Sequence, residues 1–148
     1  MNKVAVTHAT GEDASIVGAI LAEYALAVEL TESDDQEAIA RYLTPPCGFW
    51  LATSGEDVVG CVGVRPLGLG TAELKRLYVR PGHRGKGLAD ALLDAAEAFA
   101  RATGAAWLYL DSTEDLLAAQ RFYRRRGYAP CARYHDDPDV NVFLRRQL

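Results

Sequence analysis

The sequence predicts an α/β fold, a mixed central β-sheet with helices on both faces. Three observations carry that expectation. Short apolar runs of strand length alternate with segments whose apolar residues recur at helical spacing. A strand, a glycine-rich turn and a long amphipathic helix follow one another between Ala72 and Thr103. A further apolar strand at residues 106–110 follows that helix, so strand, helix and strand form a βαβ unit whose two strands run parallel.

In chain order, residues 4–7 read as a first strand, and Gly11, Glu12 and Asp13 lead into a helix. Ile16, Val17, Ile20, Leu21, Tyr24 and Val28 lie at helical spacing there, a face expected to be buried. An acidic-led second helix at 34–43 is stopped by Thr44-Pro45-Pro46. Residues 49–52 and 58–64 read as a hairpin joined through Ser54-Gly55-Glu56-Asp57. The strand at 72–79 precedes a helix at 87–103, with Leu88, Leu92, Ala95 and Phe99 on one stripe and Gly104 as its stop. After the strand at 106–110, Asp111, Ser112 and Thr113 open a helix that ends near Arg126-Gly127, with Leu116, Ala119, Phe122 and Tyr123 inward. Residues 128–134 and 140–144 close the sheet around the polar loop Asp136-Asp137-Pro138-Asp139. The element order is β-α-α-β-β-β-α-β-α-β-β.

Composition bounds the function. The chain has 148 residues, 49% hydrophobic and 24% charged, enough for one sizeable core, so a single domain over 1–148 is expected. A net charge of −4 and a pI near 5.3 argue against general nucleic-acid binding. The local exception, Arg121, Arg124, Arg125 and Arg126, reads as a solvated helix end whose cations suit the C-terminal dipole. Charges break every apolar stretch short of a membrane span, and residues 1–8 lack the apolar core of a secretion signal, so a cytoplasmic protein without a membrane partner is expected. Cys47, Cys61 and Cys131 are odd in number and scattered without clustered histidines, so neither a disulfide framework nor a metal site is expected.

The chemistry concentrates around the third strand of the middle region. Pro81 and Gly82 end it, and Gly85 and Gly87 remove side chains where the backbone must bend or approach a ligand. The first N–H groups of the next helix are then free for an anion, which describes a site for a phosphate-bearing cofactor. A Walker loop is excluded, because Gly85-Lys86 is followed by Gly87 where Ser or Thr is required. A dinucleotide fingerprint fails at Asp90, where a small residue is needed. A tight turn without a ligand is the plain alternative. Within the strand, Glu73, Lys75, Leu77 and Val79 share one face, and Leu74, Arg76 and Tyr78 the other, so neither face is cleanly apolar. Either a bulge shifts the phase or the strand floors a polar cavity.

With the motif Arg84-Gly85-Lys86-Gly87-Leu88-Ala89 between that strand and an amphipathic helix, the chain resembles the GNAT superfamily, the Gcn5-related N-acetyltransferases. The family's acyl-CoA signature is Arg or Gln, two variable residues, Gly, one variable residue, and Gly or Ala, and every specified position matches. The aromatic pair Phe122-Tyr123 followed by Gly127-Tyr128 resembles its second landmark, while Leu116 stands where the family often has Asn. That departure bears on a side-chain contact to the cofactor arm.

The resemblance implies a GNAT-like sheet and acetyl-CoA as acyl donor, with the N–H groups of Arg84, Gly85, Lys86, Gly87, Leu88 and Ala89 on the coenzyme A pyrophosphate. It places Leu77, Tyr78 and Val79 beside the cofactor, a main-chain N–H among them holding the oxyanion. It makes Glu73 the base that frees the amine and Tyr123 the acid that protonates the departing thiolate. Two plainer roles stay open: Glu73 paired with Lys75 or Arg76 on an exposed surface, and Tyr123 as a core tyrosine. Tyr24, Glu29, Arg65, Arg76, Tyr134, His135 and Asp136 lie in segments that surround the acceptor in such folds, with His135 read most simply as a loop histidine. Cys61 is the rival nucleophile, yet no histidine near it in sequence suggests activation.

The expected activity is direct transfer of acetyl to a primary amine of a small, amino-acid-like or polyamine-like molecule, in a ternary complex. A noncatalytic acyl-CoA sensor and an enzyme acting on a protein or peptide amine are the alternatives. An edge strand near the C-terminus is available for pairing in a homodimer.

Overall fold

The computed structural model describes residues 3–148; Met1 and Asn2, part of the stretch read as lacking a secretion signal, lie outside the described residues. The elements are β1 (Val4–His8), α1 (Ala14–Ala27), α2 (Gln36–Tyr42), β2 (Gly48–Ser54), β3 (Asp57–Gly68), β4 (Thr71–Val79), α3 (Leu88–Ala102), β5 (Trp107–Ser112), α4 (Leu117–Arg125), β6 (Ala129–Pro130) and β7 (Val142–Gln147). Short 3-10 turns, Gly11–Asp13 and Pro81–His83, lead toward α1 and α3. The order is the expected one. No helix among the described residues is long and apolar enough to cross a membrane.

The strands form one sheet in the order β1-β2-β3-β4-β5-β7-β6. The β4–β5 pair is parallel, as the βαβ connection requires, and the other pairs are antiparallel. On one face Val17, Ile20 and Leu21 of α1 and Ile39 and Tyr42 of α2 pack on Phe49, Leu51, Cys61 and Tyr78. On the other, Leu88, Leu92, Leu93, Ala96 and Ala100 of α3 pack on Val62, Leu74, Val79 and Leu108, joined by Tyr123 of α4. Leu92 and Leu93 are fully buried, and removing each from water contributes about 1.5–3 kcal/mol.

Two features of β4 make the site. Cys61 pairs with Tyr78 and Gly63 with Lys75, so β4 carries one more residue than β3 over that interval. The extra residue is accommodated at Arg76, whose φ is +61°. This bulge is the first of the two readings that the mixed phase of the strand left open. Glu73 and Lys75 precede it, and after it Tyr78 faces α1 while Val79 faces α3. The second feature is a splay. The β4–β5 pairing spans only Thr71 to Glu73 against Trp107 to Tyr109, and beyond it the strands part.

Several local expectations are corrected. Asp111, Ser112 and Thr113 do not open a helix; β5 continues through Ser112 and α4 begins at Leu117. The alternation of Leu108 and Leu110, both buried, with Tyr109 and Asp111 is a strand period, and it outweighs the turn-forming composition. Leu116 is exposed rather than inward. Ile16 is also exposed, and Val28 lies beyond the end of α1; the buried stripe runs instead through Val17, Ile20, Leu21 and Ala25. The second helix is shorter, with the Asp35 carboxylate capping it by accepting from the Ala38 N–H at 2.8 Å. The first closing strand shrinks to Ala129–Pro130, where Pro130 offers no N–H to extend the ladder.

Candidate active site

At the end of β4 the chain passes through Pro81–His83 into a turn that ends at Gly87, the residue preceding α3. Gly85 and Gly87 have φ of +76° and +81°, and a Cβ on either would meet no atom within 4 Å. Glycine is needed there for backbone conformation, and the space around it is open. From Gly85 to Asp90 no main-chain N–H donates to an acceptor among the described residues; the ladder of α3 starts with the Ala91 N–H on the Gly87 carbonyl at 3.0 Å. These donors, with the positive end of the helix dipole, face a cleft of about 290 Å³. Val79, His83, Arg84, Gly85, Gly87, Leu88, Ala89, Phe122 and Arg125 are among its lining residues. Arg84 is not wholly free, since its Nε donates to the Val79 carbonyl at 2.9 Å, tying the turn to β4.

Glu73 lies on β4 with none of its surface exposed. The plainer alternative for it, a surface pairing with Lys75 or Arg76, does not hold. Arg65 Nε donates to Oε1 and the Tyr134 hydroxyl to Oε2, both at 2.6 Å. Both oxygens accept, the arrangement of an ionised carboxylate. Arg65 comes from the facing position on β3, and Tyr134 from the segment after β6, where it stacks edge-on against Tyr109 and Phe143. Burial pushes the Tyr134 phenol well above the ordinary range, and its hydrogen bond to Glu73 raises it further.

Lys75 and Arg76 have other partners. Lys75 Nζ is 3.6 Å from Asp111 Oδ2, and Arg76 holds Asp34 through two hydrogen bonds of 2.9 and 3.1 Å. His135 is more than a loop histidine: its Nδ1 accepts from the Asp137 N–H, which leaves the Nε2 proton to donate to Asp111 Oδ2 at 2.6 Å. Glu73, Asp111 and His135 offer donor atoms within 4.8 Å of one another, a spacing that also occurs in metal sites. Here those atoms are engaged by Arg65, Tyr134 and Lys75 and by the His135–Asp111 bond itself. The composition of Asp111-Ser112-Thr113 suits a helix opening and hides Asp111, but the alternation of β5, carried two residues past Tyr109, reaches it.

Tyr123 is 9% exposed, with its ring edge-on to Phe122 and Tyr128. Its hydroxyl makes no hydrogen bond among the described residues. Burial pushes the phenol far above its ordinary value, and the proximity of Tyr24 and Asp111 adds to the rise. It therefore stays protonated at neutral pH. Cys61 is buried, its Sγ donating to the Arg76 carbonyl at 3.3 Å, and burial raises its pKa so that no thiolate is available.

Arg126 is corrected most. It is not part of a solvated helix end but chelates Asp90, Asp94 and Glu97 of α3 at 3.0, 2.6 and 3.0 Å. Glu97, 3% exposed, also takes Arg146 and the Tyr128 hydroxyl. This network locks α4, which carries Tyr123, to the helix whose N-terminus faces the cleft.

A model of the acetyltransferase (GNAT) family matches residues 15–128. The chain is 33% identical over 135 residues to an uncharacterized N-acetyltransferase of Schizosaccharomyces pombe, across 88% of this chain and 83% of that protein. It spans about half the length of the human N-acetyltransferase 8 and 8B relatives it matches. Among solved structures, a putative acyl-CoA N-acyltransferase from Klebsiella pneumoniae is 32% identical with a TM-score of 0.77, covering 98% of this chain and 97% of that one. The yncA acetyltransferase of Salmonella typhimurium, solved with its cofactor acetyl-CoA, shares the fold at a TM-score of 0.78 and 20% identity, covering 99% of this chain and 94% of that one. The chain belongs to the acetyltransferase (GNAT) family and is an acetyl-CoA-dependent acetyltransferase.

Proposed function

We propose that the chain, as a single domain, acetylates a primary amine of a small molecule by direct transfer from acetyl-CoA within a ternary complex. One observation carries this reading: a single strand, β4, bears the buried carboxylate of Glu73 before its bulge and runs directly into the unpaired N–H donors from Gly85 to Asp90. The proton acceptor and the anion cradle are thereby held in fixed relation, with the β4–β5 splay between them.

The cofactor supplies an acetyl thioester. In this reading the N–H groups of residues 84–89 bind its pyrophosphate, and Arg84 and Lys86 add positive charge at the rim. Leu77, Tyr78 and Val79 border the arm where the strands part, and a main-chain N–H there holds the developing oxyanion. Glu73 takes the proton of the attacking amine. Because Glu73 is enclosed, that proton reaches it across the Tyr134 hydroxyl, which lies 2.6 Å from Oε2 and is half-buried. Tyr123 gives its proton to the leaving sulfur; its lack of a hydrogen-bond partner among the described residues leaves the hydroxyl available for that contact.

An amine panel tests the reaction. Release of free coenzyme A, matched by a 42-dalton gain on one amine, is expected, about 42 being the mass of an acetyl group less a proton. Tight acetyl-CoA binding with no release above the hydrolytic background for any small amine or peptide would make the chain a sensor module instead.

A further inference from the structure

We infer that the acceptor amine carries a carboxylate, and that the terminal edge of the Arg65 guanidinium docks it. This deepens the reading of Glu73 and the α3 turn as two halves of one acetyltransferase site, and it rests on that reading. The carboxylates buried or half-buried beside the bulge are already neutralised within the protein: Glu73 by Arg65, Asp111 by Lys75, and Asp34 by Arg76. A polycationic acceptor would find no uncompensated anion there for its second ammonium, and displacing one of these cations strands a charge in a partly dehydrated site.

Arg65 is in the opposite condition. Only its Nε is committed, to Glu73; neither terminal nitrogen makes a hydrogen bond among the described residues, and the side chain is 48% exposed. The bond to an enclosed carboxylate pins the guanidinium plane, so the two remaining nitrogens present a fixed, planar pair of donors. That pair matches a carboxylate. Preorganisation removes the side-chain entropy that a free surface arginine would lose on binding. The Tyr134 hydroxyl binds the other oxygen of the same Glu73 carboxylate and so borders the position. A carboxylate on this edge sits one guanidinium away from Glu73. A compact amino acid can therefore place its carboxylate on Arg65 and its amine at Tyr134.

The test uses the full chain loaded with coenzyme A, with binding of the cofactor followed separately by thermal shift. Saturation-transfer NMR then compares α- and ω-amino acids with their carboxamides and with linear polyamines. An amino acid should bind at least tenfold more tightly than its carboxamide. In Arg65→Gln that ratio should fall toward one with the coenzyme A shift retained. Because Arg65→Gln leaves Glu73 without its cation, Arg65→Lys serves as a second variant: it keeps a positive charge beside Glu73, loses the planar fork, and should also lower the ratio. Polyamines or carboxamides binding as well as the amino acids, or no carboxylate compound binding at all, with the coenzyme A shift intact, overturns the inference alone. Absence of a coenzyme A shift in the unmodified chain overturns the underlying reading and this one with it.

Discussion

Arg76 takes a left-handed backbone conformation at the β4 bulge and there grips Asp34, a residue between α1 and α2, through both Nε and Nη2. The ion pair ties the segment that leads into α2 to the point where the central strand changes phase. A positive φ disfavours any residue with a Cβ, so the pair and the Cys61 thiol on the Arg76 carbonyl hold a conformation the sequence does not prefer.

Substitution at Arg76 should separate those two contributions. Arg76→Ala loses the pair and keeps the strained backbone, whereas Arg76→Gly loses the pair and relieves it, so Gly should be the more stable by about 1 kcal/mol. Asp34→Asn should weaken the chain by about 1–2 kcal/mol, because the pair is partly exposed and solvent screens it. Urea unfolding measures all three. Equal stability of the Ala and Gly variants would mean that the bulge is not strained.

Glu73→Gln keeps the size of the side chain and removes the proton acceptor. Turnover with a reactive amine should fall by roughly 10²–10⁴ while stabilisation by acetyl-CoA is retained. A pH–rate profile and turnover like those of the unmodified chain would assign this carboxylate to structure, as the partner of Arg65 and Tyr134 only.

Tyr123→Phe retains the ring against Phe122 and Tyr128 and deletes a hydroxyl with no partner among the described residues. Stability should change by less than about 1 kcal/mol. The fall should appear in kcat and kcat/KM together, because the proton is needed only as charge develops on sulfur. Retained kcat with a higher amine KM would make Tyr123 a binding residue.

How far the sequence spoke can be judged at particular residues. The glycine turn and its setting were legible because positive φ and the absence of a side chain leave a compositional mark, and Gly85 and Gly87 carry it. The bulge was visible as a conflict in alternation but not as a position, because Arg76 is not a residue type that announces a left-handed conformation. The pairing of Glu73 was not legible. Three cations, Arg65, Lys75 and Arg76, lie within reach of it in sequence or register; the bulge turns Arg76 to Asp34, and Asp111 on the neighbouring strand β5 takes Lys75. The partners of Arg126 were hidden for a similar reason. A run of arginines suits a solvated helix end, and its acidic partners lie on another helix, so local composition held no trace of the network around Glu97.

Burial of titratable side chains sets the response to alkali. Desolvation raises the pKa of Tyr42, Tyr123, Tyr128 and Tyr134 and of the Cys61 thiol. A group whose folded pKa is raised adds stability in full below its unfolded value and loses it as pH rises past that value. The unfolded chain ionises near pH 8.5 at cysteine and about 10 at tyrosine while the folded chain does not. Stability in urea should hold to about pH 8 and fall steeply above about pH 10. Phenolate absorbance should grow within the unfolding transition, and a large fraction appearing before it would show these phenols to be open to solvent.

The turn between β4 and α3 is the centre of the functional reading, and backbone amide NMR reports on it residue by residue. Titrating acetyl-CoA into ¹⁵N-labelled protein should shift the amide signals from Gly85 to Asp90 downfield and slow their exchange, as free donors acquire phosphate acceptors. Gly87→Val, which forces a β-branched residue into a φ of +81° beside the cleft, should abolish both those shifts and the thermal stabilisation. Saturable binding of acetyl-CoA that leaves these amides unmoved, or that persists unchanged in Gly87→Val, would contradict the assignment of this turn as the cofactor site.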